Sequence, residues 1–246
     1  MDHPLLVAFI AAAFVAGGFV KGTVGVGLPL VAVPLMSLAL PGFRAIGLVV
    51  IPVLFSNAWQ VWDTRVPARE LRRFAPLIAA QVVTTVVTVR ATLELSEHVL
   101  ALMIAAAVLI ATGLMAWQPT LNVSPRSEKR WGLAVGTLAG LMGGVSSLTG
   151  PVTISYLMAL RLPRETFVGC ISVIYLCAAV PLYSAMFWHG RIGSTEVLLS
   201  ALALVPLWCG LRLGRACRMR LGEDEFRRLL LVLLALLAVG LIVKSI

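Results

Sequence analysis

Apolar residues run along this chain in long blocks, and polar residues gather between the blocks instead of alternating with them. Ten apolar segments follow: 5–20, 28–40, 43–62, 71–90 and 98–117, then 131–144, 151–160, 166–188, 195–213 and 226–244. Blocks of this length predict helices that cross about 30 Å of hydrocarbon, which takes roughly 20 residues. The expected fold class is an all-α polytopic membrane protein. Segments 28–40 and 151–160 are too short to span, since at about 1.5 Å per residue they reach only about 20 Å and 15 Å. Segments 5–20 and 131–144 are short as well. Each short pair is therefore expected to form a hairpin of part-length helices, 5–40 and 131–160, whose tip lies inside the membrane. Non-helical backbone at that depth survives only where it is buried in protein or lines a wet cavity.

The chain repeats itself. Met36 to Gly47 (MSLALPGFRAIG) matches Met158 to Gly169 (MALRLPRETFVG) at a constant offset of 122 residues, Pro41 to Pro163 and Gly47 to Gly169. Upstream of each copy stands a glycine-rich break, Gly17 to Pro29 (GGFVKGTVGVGLP) and Gly140 to Pro151 (GLMGGVSSLTGP). Internal repeats with interrupted helices in matching positions are a signature of transporter folds. The expected organisation is a first repeat over 1–120, a linker over 121–130 rich in Pro, Ser and basic residues, and a second repeat over 131–246. Each repeat holds one hairpin and about three transmembrane helices: 43–62, 71–90 and 98–117, then 166–188, 195–213 and 226–244.

Composition agrees: 60% of residues are hydrophobic and 13% charged, against about 45–50% and 25% in a soluble domain. The net charge of +9 does not imply nucleic acid, because Lys and Arg sit in short loops where the positive-inside rule wants them. With each hairpin returning to its own side, one membrane face collects fifteen basic residues between Arg65 and Arg228, the linker's included. The other face holds only Arg44, Arg90, Arg191 and Lys244, with Lys21 left aside. Fusing each hairpin into one broken span gives nine against ten, which erases the bias. The biased arrangement places the linker in the cytoplasm and both termini outside, in an inner membrane. It also inverts the second repeat relative to the first, so the two tips meet near the midplane. Asp2 and His3 stand where a signal peptide would be basic, so no cleaved leader is expected. The four cysteines lack metal-ligand spacing.

Two helix starts that face one cavity make an anion site, because free N–H groups and the positive end of the helix dipole point into it. The candidate substrate-binding residues are Lys21, Gly22, Thr23, Gly25 and Gly27 in the first break, and Gly144, Ser146, Ser147, Thr149 and Gly150 in the second. Glycine lets backbone approach a ligand, hydroxyls donate to oxyanions, and Lys21 is the one formal charge in either break. Two placements of Lys21 stand, at the cavity or in a cytoplasmic turn. Ser56, Asn57, Gln60, Gln81, Thr85, Tyr156 and Tyr175 are candidates to line a path. Gln and Asn avoid lipid, although facing inward is also met by hydrogen bonds between helices. No Asp or Glu falls mid-span, and no nucleophile, paired carboxylate or metal motif occurs. No enzyme activity, cofactor or metal is expected.

The breaks, Gly17 through Pro34 and Gly136 through Pro151, with the Leu-Pro and Gly that follow each, resemble the TauE/SafE family of sulfite and organosulfonate exporters. The second break, Val145-Ser-Ser-Leu-Thr-Gly150, is less glycine-rich than the family pattern. The resemblance implies export of sulfur-containing anions such as sulfite, sulfonates or sulfoacetate. An inside-negative potential of 100 mV favours efflux of a monoanion by about 2.3 kcal/mol, so such an exporter needs no coupling carboxylate. The expected partners are a small anion and the bilayer, with the number of copies, homo-oligomer included, left open. An anion channel and a membrane-embedded assembly factor without transport activity are the alternatives.

Overall fold

The computed structural model describes residues 4–117, 123–124, 127–217 and 223–244. Every regular element among them is an α-helix. The first half holds α1 (Pro4–Val24), α2 (Leu28–Ser37), α3 (Gly42–Leu48), α4 (Val50–Thr64), α5 (Ala68–Arg73), α6 (Ala75–Leu93) and α7 (Glu97–Trp117). The second holds α8 (Glu128–Ser146), α9 (Gly150–Ala159), α10 (Arg164–Trp188), α11 (Ser194–Leu202), α12 (Leu204–Cys217) and α13 (Glu223–Lys244). Six helical stretches are long and apolar enough to cross a membrane: Pro4–Val24, Gly42–Thr64, Ala75–Leu93, Glu97–Trp117, Glu165–Trp188 and Ser194–Cys217. The protein is a multi-pass membrane protein.

Pro and Gly set the boundaries. Pro41 and Pro163 precede α3 and α10 in extended backbone, since proline closes a turn without continuing the helix before it. Glu97 at the start of α7 accepts the Gly42 N–H at 2.9 Å, satisfying a free donor at the start of α3. At the end of α13, Lys244 donates to the Ser37 carbonyl at 2.7 Å, supporting the free C-terminal end of α2. The break between α3 and α4 is held by Ser200 of α11, whose hydroxyl accepts the Ile51 N–H at 2.9 Å.

The tightest helix pairs come in matched sets. α1 packs on α12, and α8 packs on α6. Both seams are glycine-lined, and in both the helices run parallel. A Cβ on Gly18 would meet the Leu207 carbonyl oxygen at 2.5 Å, and one on Gly22 the Leu211 carbonyl oxygen at 2.5 Å. In the other seam, a Cβ on Gly140 would meet the Gln81 carbonyl oxygen at 2.6 Å, and one on Gly144 the Thr88 Cβ at 2.6 Å. The 122-residue offset carries Gly18 and Gly22 onto Gly140 and Gly144. An offset of 126 carries Gln81 and Thr85 onto Leu207 and Leu211. Two further pairs, α4 with α10 and α7 with α13, join elements in equivalent positions of the two halves. α4 and α10 run antiparallel, with Gln60 beside Ser172 and Thr64 against Gly169.

The helices follow the apolar blocks, with one difference of substance. α1 and α8 are 21 and 19 residues long, about 32 and 29 Å at 1.5 Å per residue. They are not part-length, and only α2 and α9, at 10 residues each, are too short to cross. Gly17, Gly18, Lys21 and Gly22, which end the apolar run in sequence, lie within α1, whose last turns pack Gly18 and Gly22 on α12 and Gly17 on α2 and turn Lys21 towards Asn57 of α4. α8 also begins three residues inside the stretch read as linker; residues 118–122, 125 and 126 lie outside the described residues.

Gly140→Leu should lower the thermal unfolding midpoint of the purified protein and its monodisperse yield, because overpacking a close seam costs about 1–3 kcal/mol or more. Gly113→Ala, where an added Cβ meets nothing within 4 Å, should leave the midpoint unchanged or higher.

Candidate functional site

Both helix breaks border one cavity. Its walls include Lys21, Gly27, Leu28, Pro29 and Leu30 from the first break, and Gly143, Ser147, Leu148, Thr149 and Gly150 from the second. α4 adds Val53 and Asn57, α6 adds Thr85, and α10 adds Tyr175, Ala178, Ala179 and Leu182. Every lining residue except Pro29 is buried. The cavity holds about 30 Å³ of water-accessible space, room for about two waters.

The breaks are built from special backbone. Gly25 and Gly27 adopt φ of 92° and 102°, the left-handed region that glycine enters without a Cβ penalty. Gly27 thereby caps α2, with Pro29 in the first turn. In the second break Ser147 takes the same region at φ 61° as it ends α8, a conformation costing about 1–2 kcal/mol for a residue with a Cβ. α9 then starts at Gly150 with Pro151 in its first turn. So the N-terminal ends of two ten-residue helices, one from each half, open onto the same space.

Lys21 lies inside α1, not in a turn. It is 4% exposed, and its ammonium donates to Asn57 Oδ1 at 3.0 Å. Asn57 is oriented by its own Nδ2, which donates to the Val53 carbonyl at 2.9 Å. On the opposite wall the Ser147 and Tyr183 hydroxyls lie 3.1 Å apart. The Tyr175 hydroxyl has no partner and sits beside Gly150, 3.1 Å from where a Cβ would lie. A lysine with an amide thus faces hydroxyls and a helix N-terminus, with apolar side chains between.

The structure brings together Lys21, Gly27, Ser147, Thr149, Gly150, Asn57, Thr85 and Tyr175 at this cavity. The other candidates stand elsewhere. Gly22 and Gly144 face the packing seams. The hydroxyls of Thr23, Ser146 and Ser56 donate to carbonyls of their own helices, at 2.8, 2.8 and 2.5 Å. Gln60 braces the first tip, donating to the Gly25 carbonyl at 2.9 Å while Ser172 donates to its oxygen at 3.1 Å. Gln81 is buried in the α6–α8 seam. The Tyr156 hydroxyl donates to the Glu128 carbonyl at 3.1 Å. Glu128 also pairs with Arg73 through two hydrogen bonds, and that contact holds the guanidinium above its usual pKa.

The sequence reading missed Gly143, Tyr183 and, on the α10 wall, Ala178, Ala179 and Leu182. The repeat carried the signal, since the 122-residue offset maps the α4 pair Val53 and Asn57 onto Tyr175 and Ala179. Among the described residues no group of three His, Cys, Asp or Glu side chains is placed to hold a metal ion.

No curated protein and no solved structure matched this chain. A family match, by contrast, covers residues 9–241 and carries the description sulfite exporter TauE/SafE. It includes both breaks, all the cavity residues and every membrane-crossing stretch except the first residues of α1. The chain belongs to the TauE/SafE sulfite exporter family, a family of membrane transporters and not of enzymes.

Proposed function

We propose that the protein exports a small sulfur-containing anion, such as sulfite or an organosulfonate, and binds it in the cavity between the two breaks. The observation that carries this reading is the convergence of Lys21 and the starts of α2 and α9 on one buried space. Each contributes positive potential where hydrocarbon would otherwise exclude an anion. Ser147, Thr149 and Tyr175 would donate hydroxyl hydrogen bonds to the oxyanion, with Gly27 and Gly150 permitting close approach of the backbone. Gln60, Ser56 and Tyr156 act one layer out. They hold a tip, a helix turn and a hairpin mouth. Gly22, Thr23, Gly25, Gly144 and Ser146 shape the tips without meeting the anion.

The antiparallel run of α4 and α10 supports an inverted repeat, because they occupy equivalent positions in the two halves. The exchange of α1–α12 for α8–α6 supports it too. In that arrangement the charge bias puts both termini outside and the linker in the cytoplasm. A cavity of this size favours a carrier over an open channel: an oxyanion needs more room than two waters, so the breaks must separate to admit it. No carboxylate lines the cavity, in keeping with export driven by the membrane potential.

Lys21→Met should lower anion flux at least about tenfold while the protein still inserts and stays monodisperse, since a charged hydrogen bond is worth about 1.5–3 kcal/mol. Wild-type flux in that variant would remove Lys21 from the site. In proteoliposomes, sulfite or sulfonates should carry current where chloride does not, and collapsing the potential should slow their efflux. Silence in both current and labelled-sulfite flux, from folded protein, would sink the exporter reading.

A further inference from the structure

The two glycine seams are equivalent in position but not in chemistry. Where α12 offers Leu207, Leu211 and Gly214 to α1, α6 offers Gln81, Thr85 and Thr88 to α8. Gln81 is 0% exposed, and neither its amide nitrogen nor its oxygen has a hydrogen-bond partner. The Thr88 hydroxyl, in a residue 8% exposed, has none either. Each such group costs about 1–3 kcal/mol when buried unpaired, and hydrocarbon offers no relief. The equivalent seam demonstrates that the same packing works with apolar side chains. Thr85 donates across the seam to the Gly140 carbonyl at 3.5 Å, whereas Gln81 and Thr88 add no hydrogen bond to the helix contact.

Their order along α6 is directional. Arg73, just before α6, pairs with Glu128 at the start of α8. Leu77, 1% exposed, comes next and lies against Gly132 and Gly136. Gln81 lies one turn deeper, and Thr85, about 6 Å further along, reaches the cavity. The outermost closure is weak. The Arg73 and Glu128 side chains are 38% and 16% exposed, and surface ion pairs contribute about 0–1 kcal/mol.

We infer that the α6–α8 seam is the route between the cavity and the membrane face that carries Arg73 and Glu128. The seam opens when the α8–α9 hairpin moves away from α6, and Gln81 then meets water or the passing solute. The α1–α12 seam stays shut. In the closed state Leu77 and the Arg73–Glu128 pair seal the mouth. The inference rests on the proposed transport site, and it adds which hairpin moves and which face it opens.

The test uses full-length protein in membrane vesicles, with Cys170, Cys177, Cys209 and Cys217 replaced and single cysteines introduced. A membrane-impermeant maleimide is applied from each side in turn. Gln81→Cys should label from the Arg73 face, and Leu207→Cys from neither. Adding Glu128→Gln should speed labelling at position 81 by up to about fivefold, the population shift expected for about 1 kcal/mol. Leu77→Cys, nearer the mouth, serves if Gln81→Cys fails to fold. Labelling at position 81 in a protein silent towards every anion would keep the route and discard the sulfur-anion reading. Absence of labelling at both 81 and 77, in a protein that moves sulfite, would overturn the route and leave the exporter reading standing. Equal labelling at 81 and 207 would also overturn it.

Discussion

Backbone that leaves its helix inside a bilayer must be enclosed by protein or by trapped water, and this constraint organises the whole molecule. The two hairpin tips, at 25–27 and at 147–149, leave helical geometry for three residues each. Neither can face lipid, so the remaining helices close around them. α4 and α10 form a central antiparallel wall, and α12 and α6 back the helices that carry each break to depth. α2 and α9 then need only ten residues each, since they start within the enclosure. The cavity lies where the two helix starts meet the α4, α6 and α10 walls.

Glycine does two different jobs here, separable only once helix faces are known. Gly25 and Gly27 supply left-handed backbone for the first tip. Gly18, Gly22, Gly140 and Gly144 supply close approach between helices, each leaving no room for a Cβ against a neighbouring backbone or Thr side chain. Within a membrane such seams rest on packing and not on hydrophobic exclusion. A glycine-lined interface is also one along which a helix can part from its neighbour without pulling interlocked side chains past each other. The two seams differ on this point: the Leu207 side chain lies in one, and the unpaired side chains of Gln81 and Thr88 belong to the other.

Much of the architecture was legible in the chain. Hydrocarbon thickness forces long apolar blocks, so segment positions followed from length alone, and the shortness of α2 and α9 was visible for the same reason. The extent of α1 was not. Gly17, Gly18, Lys21 and Gly22 read as the end of an apolar run, whereas packing against α12 continues the helix to Val24. Of the candidate site, the residues at the helix starts fell where the pattern put them: Gly27, Thr149 and Gly150 all line the cavity. Gly22, Thr23, Gly144 and Ser146 did not, because spacing identifies a break but not which way each residue around it turns. Tyr183 was missed because a tyrosine deep in an apolar helix carries no pattern of its own. Only its 3.1 Å approach to Ser147 gives it a place.

The choice of Asn57 as the partner of Lys21 bears on how such a site turns over. A buried ammonium needs a hydrogen-bond acceptor in every state of the protein. A carboxylate would neutralise it, but separating a buried ion pair costs about 3–5 kcal/mol, and an incoming anion would have to meet that before binding. An amide oxygen gives a single hydrogen bond, worth about 1.5–3 kcal/mol to a charged group, and leaves the positive charge uncancelled. In the proposed export cycle the empty site would keep its attraction for an anion, and a bound anion would displace a neutral acceptor instead of a competing charge. After release, Asn57 would take the ammonium back. Its Nδ2 bond to the Val53 carbonyl keeps the oxygen aimed at Lys21 throughout. On these grounds a neutral amide would serve the proposed anion site better than the stronger partner: it would let Lys21 attract an anion, and it would not compete with the anion as a second charge.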